Sequence, residues 1–360
     1  MNSYEKLREM LHTHPTGAPQ SEAFHEILRI LFTPEEAEVT LGMGFAPRSV
    51  RRIAQLSGVP EEEVCERCES MANKGIIFAR EKAGEMGYAL LPTIPGMFEF
   101  PFMAGGGTPM HERLGRLWEE YHREAMGNEF AGSEMPLARV ISVEQTIEPH
   151  IEVLPYEVLS DMLDRVETFA LAQCACRVSV GACDQPRDVC LIFGKTAQFL
   201  IDRQIAQEIT RDQADDIVRR SEEAGLVHTT NNSQDRVNFV CNCCPCCCTI
   251  LRGLTQLHNP NAFARSRWQA YVDADLCTGC GTCENERCPV GAVQVVEDVA
   301  RVAPEECIGC GLCATACPAG AIEMVARQQY VEPPATVAEM GLRVATEKGR
   351  VESFLALMQR

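Results

Sequence analysis

The distribution of cysteine is the feature of this chain that most restricts its fold. Eighteen of the twenty cysteines lie between residues 174 and 317. Dispersed cysteines in an oxidising compartment form disulfide frameworks, whereas clustered cysteines in a reducing cytosol usually bind metal. The first residues, MNSYEKLREM, are charged and lack the apolar segment of a secretory signal. We therefore expect a cytoplasmic, metal-binding protein.

Length and charge narrow the functional classes. A chain of 360 residues has room for two or three domains. The formal net charge of −18 argues against nucleic acid as the main ligand, because binding to a polyanion draws most of its energy from basic side chains. No apolar stretch approaches the roughly 20 residues of a membrane-spanning helix. We expect neither specific nucleic-acid binding nor membrane insertion.

The strongest motif is an internal repeat. CTGCGTCENERCPV spans 277–290, and CIGCGLCATACPAG spans 307–320. A four-iron cluster needs four thiolates around a cube; a loop with two-residue spacers supplies three of them, and a remote Cys-Pro supplies the fourth. Glycines between the cysteines let the backbone curl, so that its N–H groups approach the cluster. The repeat therefore predicts two [4Fe–4S] clusters.

These two runs resemble the bacterial two-[4Fe–4S] ferredoxin family. In that family the fourth cysteine of each run serves the other cluster. The resemblance implies two crossed ligand sets, namely Cys277, Cys280, Cys283 and Cys317 for one cluster, and Cys307, Cys310, Cys313 and Cys288 for the other. The sequence departs from the family at 284–287, where four residues replace the usual three. This departure lengthens one loop and removes no ligand.

Ten further cysteines form two segments before the repeat. The first segment contains Cys174, Cys176, Cys183 and Cys190, and the second, CNCCPCCC, contains Cys241, Cys243, Cys244, Cys246, Cys247 and Cys248. Four thiolates suffice for one cluster or for a structural zinc ion. The second segment either completes a site with the first, holds its own cluster, or binds copper or another soft metal. We expect a third [4Fe–4S] cluster on the four cysteines of the first segment and leave a fourth open.

The first hundred residues read as helical. A helix is predicted over 21–32 by an apolar stripe at helical spacing, Phe24, Ile27, Leu28 and Leu31. The pattern over 45–92 indicates a helix, a turn, a second helix and a hairpin that turns through Ala83-Gly84. This order resembles a winged helix-turn-helix domain. Its second helix begins PEEEVCERCE, which is acidic where a helix meant for the major groove should be basic.

The remaining pattern completes an α+β organisation. In the cysteine-rich part we predict an amphipathic helix over 155–173, a helix that opens with a capping box at Thr210, and a short hairpin over 226–240. The expected division is a winged-helix-like domain at 1–92, a Pro/Gly-rich linker at 93–112, a helical cysteine-rich domain at 113–268, a ferredoxin-like dicluster domain at 269–328, and a linker with a helical tail at 329–360.

Electron transfer is the function that this sequence indicates. Several clusters in one chain form a conduit for single electrons, and the segment 271–326 carries nine acidic and two basic residues. Such a surface suits a redox partner protein with a basic docking patch. The central part also resembles uncharacterised multi-cluster iron–sulfur proteins of strict anaerobes. Two alternatives stay open: an iron–sulfur oxidoreductase with a substrate site near 241–248, and a redox-responsive winged-helix regulator.

Overall fold

Helices make up most of the N-terminal third of the chain. The computed structural model describes residues 2–147 and 153–359. The helices of this part are α1 Ser3–His12, α2 Glu22–Leu31, α3 Pro34–Thr40, α4 Val50–Ser57, α5 Glu61–Asn73, α6 Phe100–Met103, α7 Pro109–Tyr121 and α8 Gly127–Phe130. A π turn at His122–Met126 joins α7 to α8, so the two run on as one helical segment.

The predicted helix over 21–32 is confirmed as α2. The Ser21 hydroxyl accepts a hydrogen bond from the backbone N–H of Phe24 and so caps the first turn. The apolar stripe that predicted this helix is fully or nearly fully buried. Phe24 stacks on Tyr121 with ring centroids 4.6 Å apart, which fastens α2 to α7.

The element order predicted over 45–92 is present. Helices α4 and α5 are followed by a hairpin of β2 Ile77–Lys82 and β3 Glu85–Leu90, and β1 Arg48–Ser49 pairs with β3. Ala83 and Gly84 both have positive φ, as a tight hairpin turn requires. Membership of the winged-helix family stays a prediction.

The linker predicted at 93–112 is wrong over its first half. Residues 93–103 form a turn with a cis Ile94-Pro95 bond and then α6. Their large apolar side chains are buried in the main core, namely Ile94, Met97, Phe98, Phe100, Phe102 and Met103. Local composition predicts a linker because proline and glycine mark loops, but the aromatic residues between them are drawn into the core.

The cysteine-rich part contains a sheet, which corrects the prediction of a mainly helical domain. Six strands form an antiparallel sheet in the order β4-β8-β9-β6-β5-β7 among the described residues. Their bounds are β4 Ala138–Val140, β5 Phe169–Gln173, β6 Asp188–Phe193, β7 Gln207–Ile209, β8 Val227–Asn231 and β9 Phe239–Cys243. The predicted hairpin at 226–240 is confirmed as β8 and β9, which lie inside this larger sheet.

The helix predicted over 155–173 is also wrong. Only α9, Leu159–Leu163, is helical, and the last residues of the range form β5. Strand β5 pairs with β6 and β7, which follow it by many residues. Local periodicity cannot detect such distant partners, so a short apolar run resembles the continuation of a helix.

The other helices of this part are α10 Ala175–Val180, α11 Gly194–Asp202, α12 Arg211–Glu223 and α13 Thr249–Thr255. The capping box predicted at Thr210 is confirmed, since Thr210 and Gln213 exchange side-chain-to-backbone hydrogen bonds at the start of α12. Helices α11 and α12 pack on the sheet, whereas α10 packs on α6 and α7, and α13 packs on α8.

The last hundred residues form the ferredoxin-like part and a helical tail. Its strands are β10 Trp268–Val272, β11 Val293–Val296, β12 Val299–Val302 and β13 Ile322–Ala326, and its helices are α14 Leu312–Thr315, α15 Val337–Glu347 and α16 Val351–Gln359. Strand β10 pairs with β13, and β11 with β12. The tail returns to the N-terminal helices, where the Arg48 guanidinium donates a 2.8 Å hydrogen bond to the Leu357 carbonyl. Within the described residues no helix combines the length and apolar character needed to cross a bilayer.

Candidate metal centres

The two ferredoxin-like loops are shaped by glycine. Gly279 and Gly309 have positive φ, and each lies against another backbone segment. A Cβ on Gly309 would lie 2.2 Å from the Trp268 carbonyl oxygen, and one on Gly279 would lie 2.5 Å from that of Asp298. No other side chain fits at these positions without a shift of the backbone, so the loop path depends on glycine.

The first expected ligand set lines one pocket of the dicluster part. We call it the outer set, and its members are Cys277, Cys280, Cys283 and Cys317. Three come from one loop, and Cys317 comes from the second repeat, as the resemblance implied. Cys280 is exposed, and Cys283 is buried.

The second expected ligand set lines a second, separate pocket. We call it the inner set, and its members are Cys288, Cys307, Cys310 and Cys313. The three cysteines of its loop are all buried. The structure thus brings together the four cysteines of each crossed set around a separate cavity.

Backbone N–H groups point at several of these sulfurs. The N–H of Ala300 lies 3.4 Å from Cys277 Sγ, and that of Ala292 lies 3.2 Å from Cys288 Sγ. Donors of this kind stabilise a thiolate and tune a cluster that the thiolate binds. Four thiols around a cavity, with N–H donors behind them, fit a [4Fe–4S] cluster.

The lengthened spacer at 284–287 has a structural role. It forms a π turn, and the guanidinium of Arg287 donates hydrogen bonds of 3.3 and 2.9 Å to the carbonyls of Glu222 and Glu223. Those carbonyls lie at the end of α12, where an arginine also complements the helix dipole. The additional residue therefore ties the dicluster part to the cysteine-rich part.

Burial and hydrogen bonding shift the pKa of individual thiols in opposite directions. Burial raises the pKa of Cys310 in the inner set to about 12 and also raises the pKa of Cys283 in the outer set, whereas the backbone N–H of Thr282 lowers the pKa of the exposed Cys280. A thiolate is the form that binds iron. Cys310 therefore stays protonated until a metal arrives, while Cys280 is predisposed to ionise.

The CNCCPCCC run divides between two places. Cys241 and Cys243 lie on β9, and Pro245 lies in the turn that follows. The Cys248 side chain caps α13 by accepting a hydrogen bond from the Leu251 N–H. The chain reverses inside the run, so its six sulfurs face two sides of the turn.

One group contains four thiols whose sulfur atoms all lie within 4.8 Å of one another. We call it the compact set, and its members are Cys183, Cys244, Cys246 and Cys247. Cys183 Sγ lies 3.8 Å from Cys244 Sγ and 3.7 Å from Cys247 Sγ. The preferred grouping of Cys183 with the other three cysteines of its own segment is therefore wrong, because the loop after α10 turns it toward the 244–247 turn.

The other six central thiols form a second group. We call it the buried set, and its members are Cys174, Cys176, Cys190, Cys241, Cys243 and Cys248. Neighbouring thiols interact in a continuous series: Cys190 with Cys241, Cys241 with Cys243, Cys243 with Cys248, Cys248 with Cys176, and Cys176 with Cys174. Cys243 and Cys248 have sulfurs 3.3 Å apart. Six soft ligands in this arrangement offer more than the four that one cluster needs.

Arg177 lies between the two central groups. It is fully buried and donates a 2.6 Å hydrogen bond to the Pro186 carbonyl and another to that of Asn242. Burial lowers the pKa of Arg177, but the thiols of Cys174 and Cys244 raise it further, and it ends above its usual range. The arginine therefore remains charged and offsets the negative charge of metal thiolates on both sides.

A cavity beside the buried set contains polar groups that the sequence did not indicate. It adjoins a second cavity, with which it shares His122 and Thr249. Thr249 Oγ1 lies 3.6 Å from Cys176 Sγ. Burial lowers the pKa of His122 to about 4, so the ring is neutral, and neither of its nitrogens has a partner among the described residues. Its region carries no cysteine motif, so no local signal marked it.

The inner set and the buried set share one apolar core. Cys310 lies in the same core as Cys243 and Cys248, together with Leu251 and Leu312. The backbone joins them as well, since the Cys310 carbonyl accepts a 3.0 Å hydrogen bond from the N–H of Val143. The inner set is thus the part of the dicluster module nearest the central thiols.

Comparison with known proteins covers one part of the chain. Residues 269–325 match the model of the 4Fe-4S dicluster domain. A subunit of the ion-translocating oxidoreductase complex of Methanosarcina acetivorans is 48% identical over 48 residues, which are 13% of this chain and 18% of that protein. An uncharacterized ferredoxin of Methanocaldococcus jannaschii is 49% identical over 47 residues, which are 12% of this chain and 31% of that protein. No solved structure gives a significant match.

The chain therefore has a 4Fe-4S dicluster ferredoxin domain at 269–325, and this domain supports a role in iron–sulfur electron transfer. The alignments span less than a third of the length of either relative. They say nothing about the helical N-terminal part or the central thiols.

Proposed function

We propose, from the dicluster domain at 269–325, that the protein is a multi-cluster electron carrier that exchanges single electrons with a partner oxidoreductase. When bound, each [4Fe–4S] cluster supplies a one-electron couple. The observation that carries the proposal is the apolar core that Cys310 of the inner set shares with Cys243 and Cys248 of the buried set. In the outer set, Cys280 is exposed at the surface, where a partner can approach it.

The outer set lies at the proposed docking face. The segment 271–298, which carries three of its cysteines, exposes the apolar side chains of Tyr271, Leu276 and Val296. The same segment exposes acids, namely Asp273, Asp275, Glu286, Glu297 and Asp298. A surface that combines apolar and acidic side chains suits a partner with a basic patch, because opposite charges accelerate association and apolar contact stabilises the docked complex.

Salt dependence tests the docking face. The anaerobically reduced protein is mixed with a basic c-type cytochrome as electron acceptor, and the second-order rate is measured over a range of ionic strength. We expect the rate to fall steeply with salt, and to fall about tenfold at low salt when Asp273, Asp275, Glu297 and Asp298 are changed to their amides. The same number of amides on α12, at Asp212, Asp215, Asp216 and Glu223, is the control. A rate that does not change with ionic strength would contradict the proposal that this acidic surface docks the partner.

Cluster content tests the carrier itself. The domain and the buried set together predict about twelve irons per chain, about four for each cluster. Anaerobic iron and sulfide analysis and electron paramagnetic resonance (EPR) of the reduced protein measure them.

Purification from the native source should recover a larger oxidoreductase with the carrier. The relative named as part of an ion-translocating oxidoreductase complex supports this expectation. An isolated protein with two clusters and no redox partner would contradict it.

A second candidate is an oxidoreductase with its substrate in the His122 cavity. The supporting observation is a neutral histidine without a partner among the described residues, buried beside Cys176 and among the apolar side chains of Ile94, Phe98 and Trp118. These groups suit a short substrate with an apolar body and one polar end. Two electrons from the clusters and two protons would reduce the double bond of such a substrate.

Reoxidation of the reduced protein by crotonate, a short unsaturated carboxylate, tests this candidate. It predicts that crotonate restores the visible absorbance of the oxidised clusters and yields butyrate. His122→Phe should abolish the reaction by filling the cavity, without loss of iron. His111→Phe, at a half-buried position outside the cavity, is the control. Failure of crotonate and related short enoates to reoxidise the protein would rule out this candidate.

A DNA-binding regulator has less support. Glu61, Glu62 and Glu63 are exposed at the start of α5, where they would face phosphates. The other end of α5 is engaged, since Arg203 binds Glu69 and Asn73 there. We expect no footprint on DNA at physiological salt. A specific footprint that is lost on Asn73→Ala would favour the regulator.

The proposal also includes three expectations from the sequence, namely a winged-helix origin of this region, a cytoplasmic location and an anaerobic host.

A further inference from the structure

The compact set differs from the ferredoxin sets in the spacing of its sulfurs. Its four sulfurs lie within 4.8 Å of one another, and two of the pairs are separated by 3.7 and 3.8 Å. Four thiolates about 2.3 Å from one tetrahedral metal ion are about 3.8 Å apart. The thiolates of a cubane cluster lie outside a cube of four irons and four sulfides, so they must be farther apart. The measured spacing matches a single ion.

The dicluster domain supplies an internal control. Its outer and inner sets each line a separate pocket. Within the described residues, none of their cysteines belongs to a group of three or more ligands as close as the compact set. The dicluster domain thus keeps its thiols apart, whereas residues 183 and 244–247 bring four thiols to mutual contact.

We propose that Cys183, Cys244, Cys246 and Cys247 bind one zinc ion in a closed tetrahedral site. Four thiolates leave no open coordination position, which is typical of a structural rather than a catalytic zinc. The resulting charge of −2 is partly offset by Arg177, which interacts with the Cys244 thiol. The ten central cysteines then divide into four for zinc and six for an iron–sulfur cluster.

The position of the site indicates what it stabilises. Cys183 follows α10, whose first turn carries Cys176 of the buried set, and Cys244 to Cys247 lie between Cys243 and Cys248 of that set. A metal that joins the two loops fixes both segments that supply the buried set. Zinc has no redox chemistry of its own, so the site orders the loops without taking part in electron transfer.

Metal analysis of the full-length protein tests this proposal. We expect about one zinc per chain beside the iron. Changing Cys183 and Cys246 together to serine should remove the zinc and leave the EPR signals of the dicluster domain intact. Both positions are only partly buried, which limits the damage to folding. Cys176→Ser with Cys190→Ser is the matched control, and it should lower iron while zinc remains.

Two further measurements keep the test decisive. Cys246→His should retain zinc, because three cysteines and one histidine also form a structural zinc site. Growth with cobalt should give the visible bands of a tetrahedral cobalt thiolate, and these should disappear in the Cys183, Cys246 double variant. The proposal is overturned if that variant loses about four irons and no zinc, or if a single ferric ion occupies the site. The proposed carrier function is tested separately, by the iron content of the dicluster domain.

Discussion

The dicluster domain and the central thiols use cysteine in opposite ways. In the domain each set takes three ligands from one loop and a fourth from the other repeat, around a preformed cavity. In the central part the thiols come from helix α10 and the loops on either side of it, from strand β6, and from strand β9 and the turn behind it. The first arrangement is encoded in local spacing, and the second exists only because the sheet brings distant segments together.

The largest combined loss of iron and thermal stability should follow from a change in the inner set. Cys310→Ser should remove about four irons and lower thermal stability strongly, because its loop is buried against the central core. Cys280→Ser should also reduce iron, but with little loss of folded protein, since Cys280 is exposed. Anaerobic iron analysis and thermal unfolding measure both effects. Equal losses of stability would show that the two sets do not differ in their structural role.

The next effect concerns the buried set. Cys176→Ser with Cys190→Ser should lower iron by about four per chain and leave the EPR signals of the dicluster domain unchanged. Both residues lie far in sequence from the CNCCPCCC run and reach it only through the sheet. If iron content and folding are both unaffected, the buried set is not a cluster site, and the central part resembles the dicluster domain less than we propose.

The ion pair between Arg252 and Glu119 should stabilise the fold more than an exposed ion pair does. Arg252 on α13 donates two hydrogen bonds, of 2.8 and 2.7 Å, to the Glu119 carboxylate on α7, and its side chain is 3% exposed. Arg252→Ala should cost about 1.5–3 kcal/mol of unfolding free energy, because it removes two charge-assisted hydrogen bonds from the half-buried Glu119 carboxylate and leaves it only the exposed Arg123 as a partner. Arg113→Ala, which breaks an exposed pair with Glu26, should cost about 0–1 kcal/mol. Chemical denaturation compares them, and similar costs would contradict the burial argument.

The smallest effect is the pH dependence of this pair. The hydrogen bonds from Arg252 hold the pKa of Glu119 below its usual range. A depressed carboxyl pKa stabilises the fold above the unfolded-state value, and that stability is lost as pH falls through the folded-state pKa. Wild type should therefore lose stability below about pH 4.5 more steeply than Glu119→Gln. Parallel curves for the two proteins would show that Glu119 is not linked to folding.

The sequence alone determined the dicluster domain, because its ligands follow one another at short spacings within two glycine-containing loops. It likewise determined α2 and the capped start of α12, which depend on contacts within a few residues. Tertiary structure decided the rest. Residues 169–173 form strand β5 because β6 and β7 pair with them. Residues 93–103 belong to the core because their apolar side chains pack against distant parts of the chain.

Tertiary structure also determines which of the ten central cysteines lie close together. Spacing placed Cys183 with its own segment, but the direction of a side chain in a loop is set by what packs beneath the loop. Here β9 ends in a turn that faces the loop after α10, so Cys183 meets Cys244 and Cys247. Local spacing specifies ligands where the backbone between them is short; across about sixty residues, only the packing of the sheet brings such thiols together.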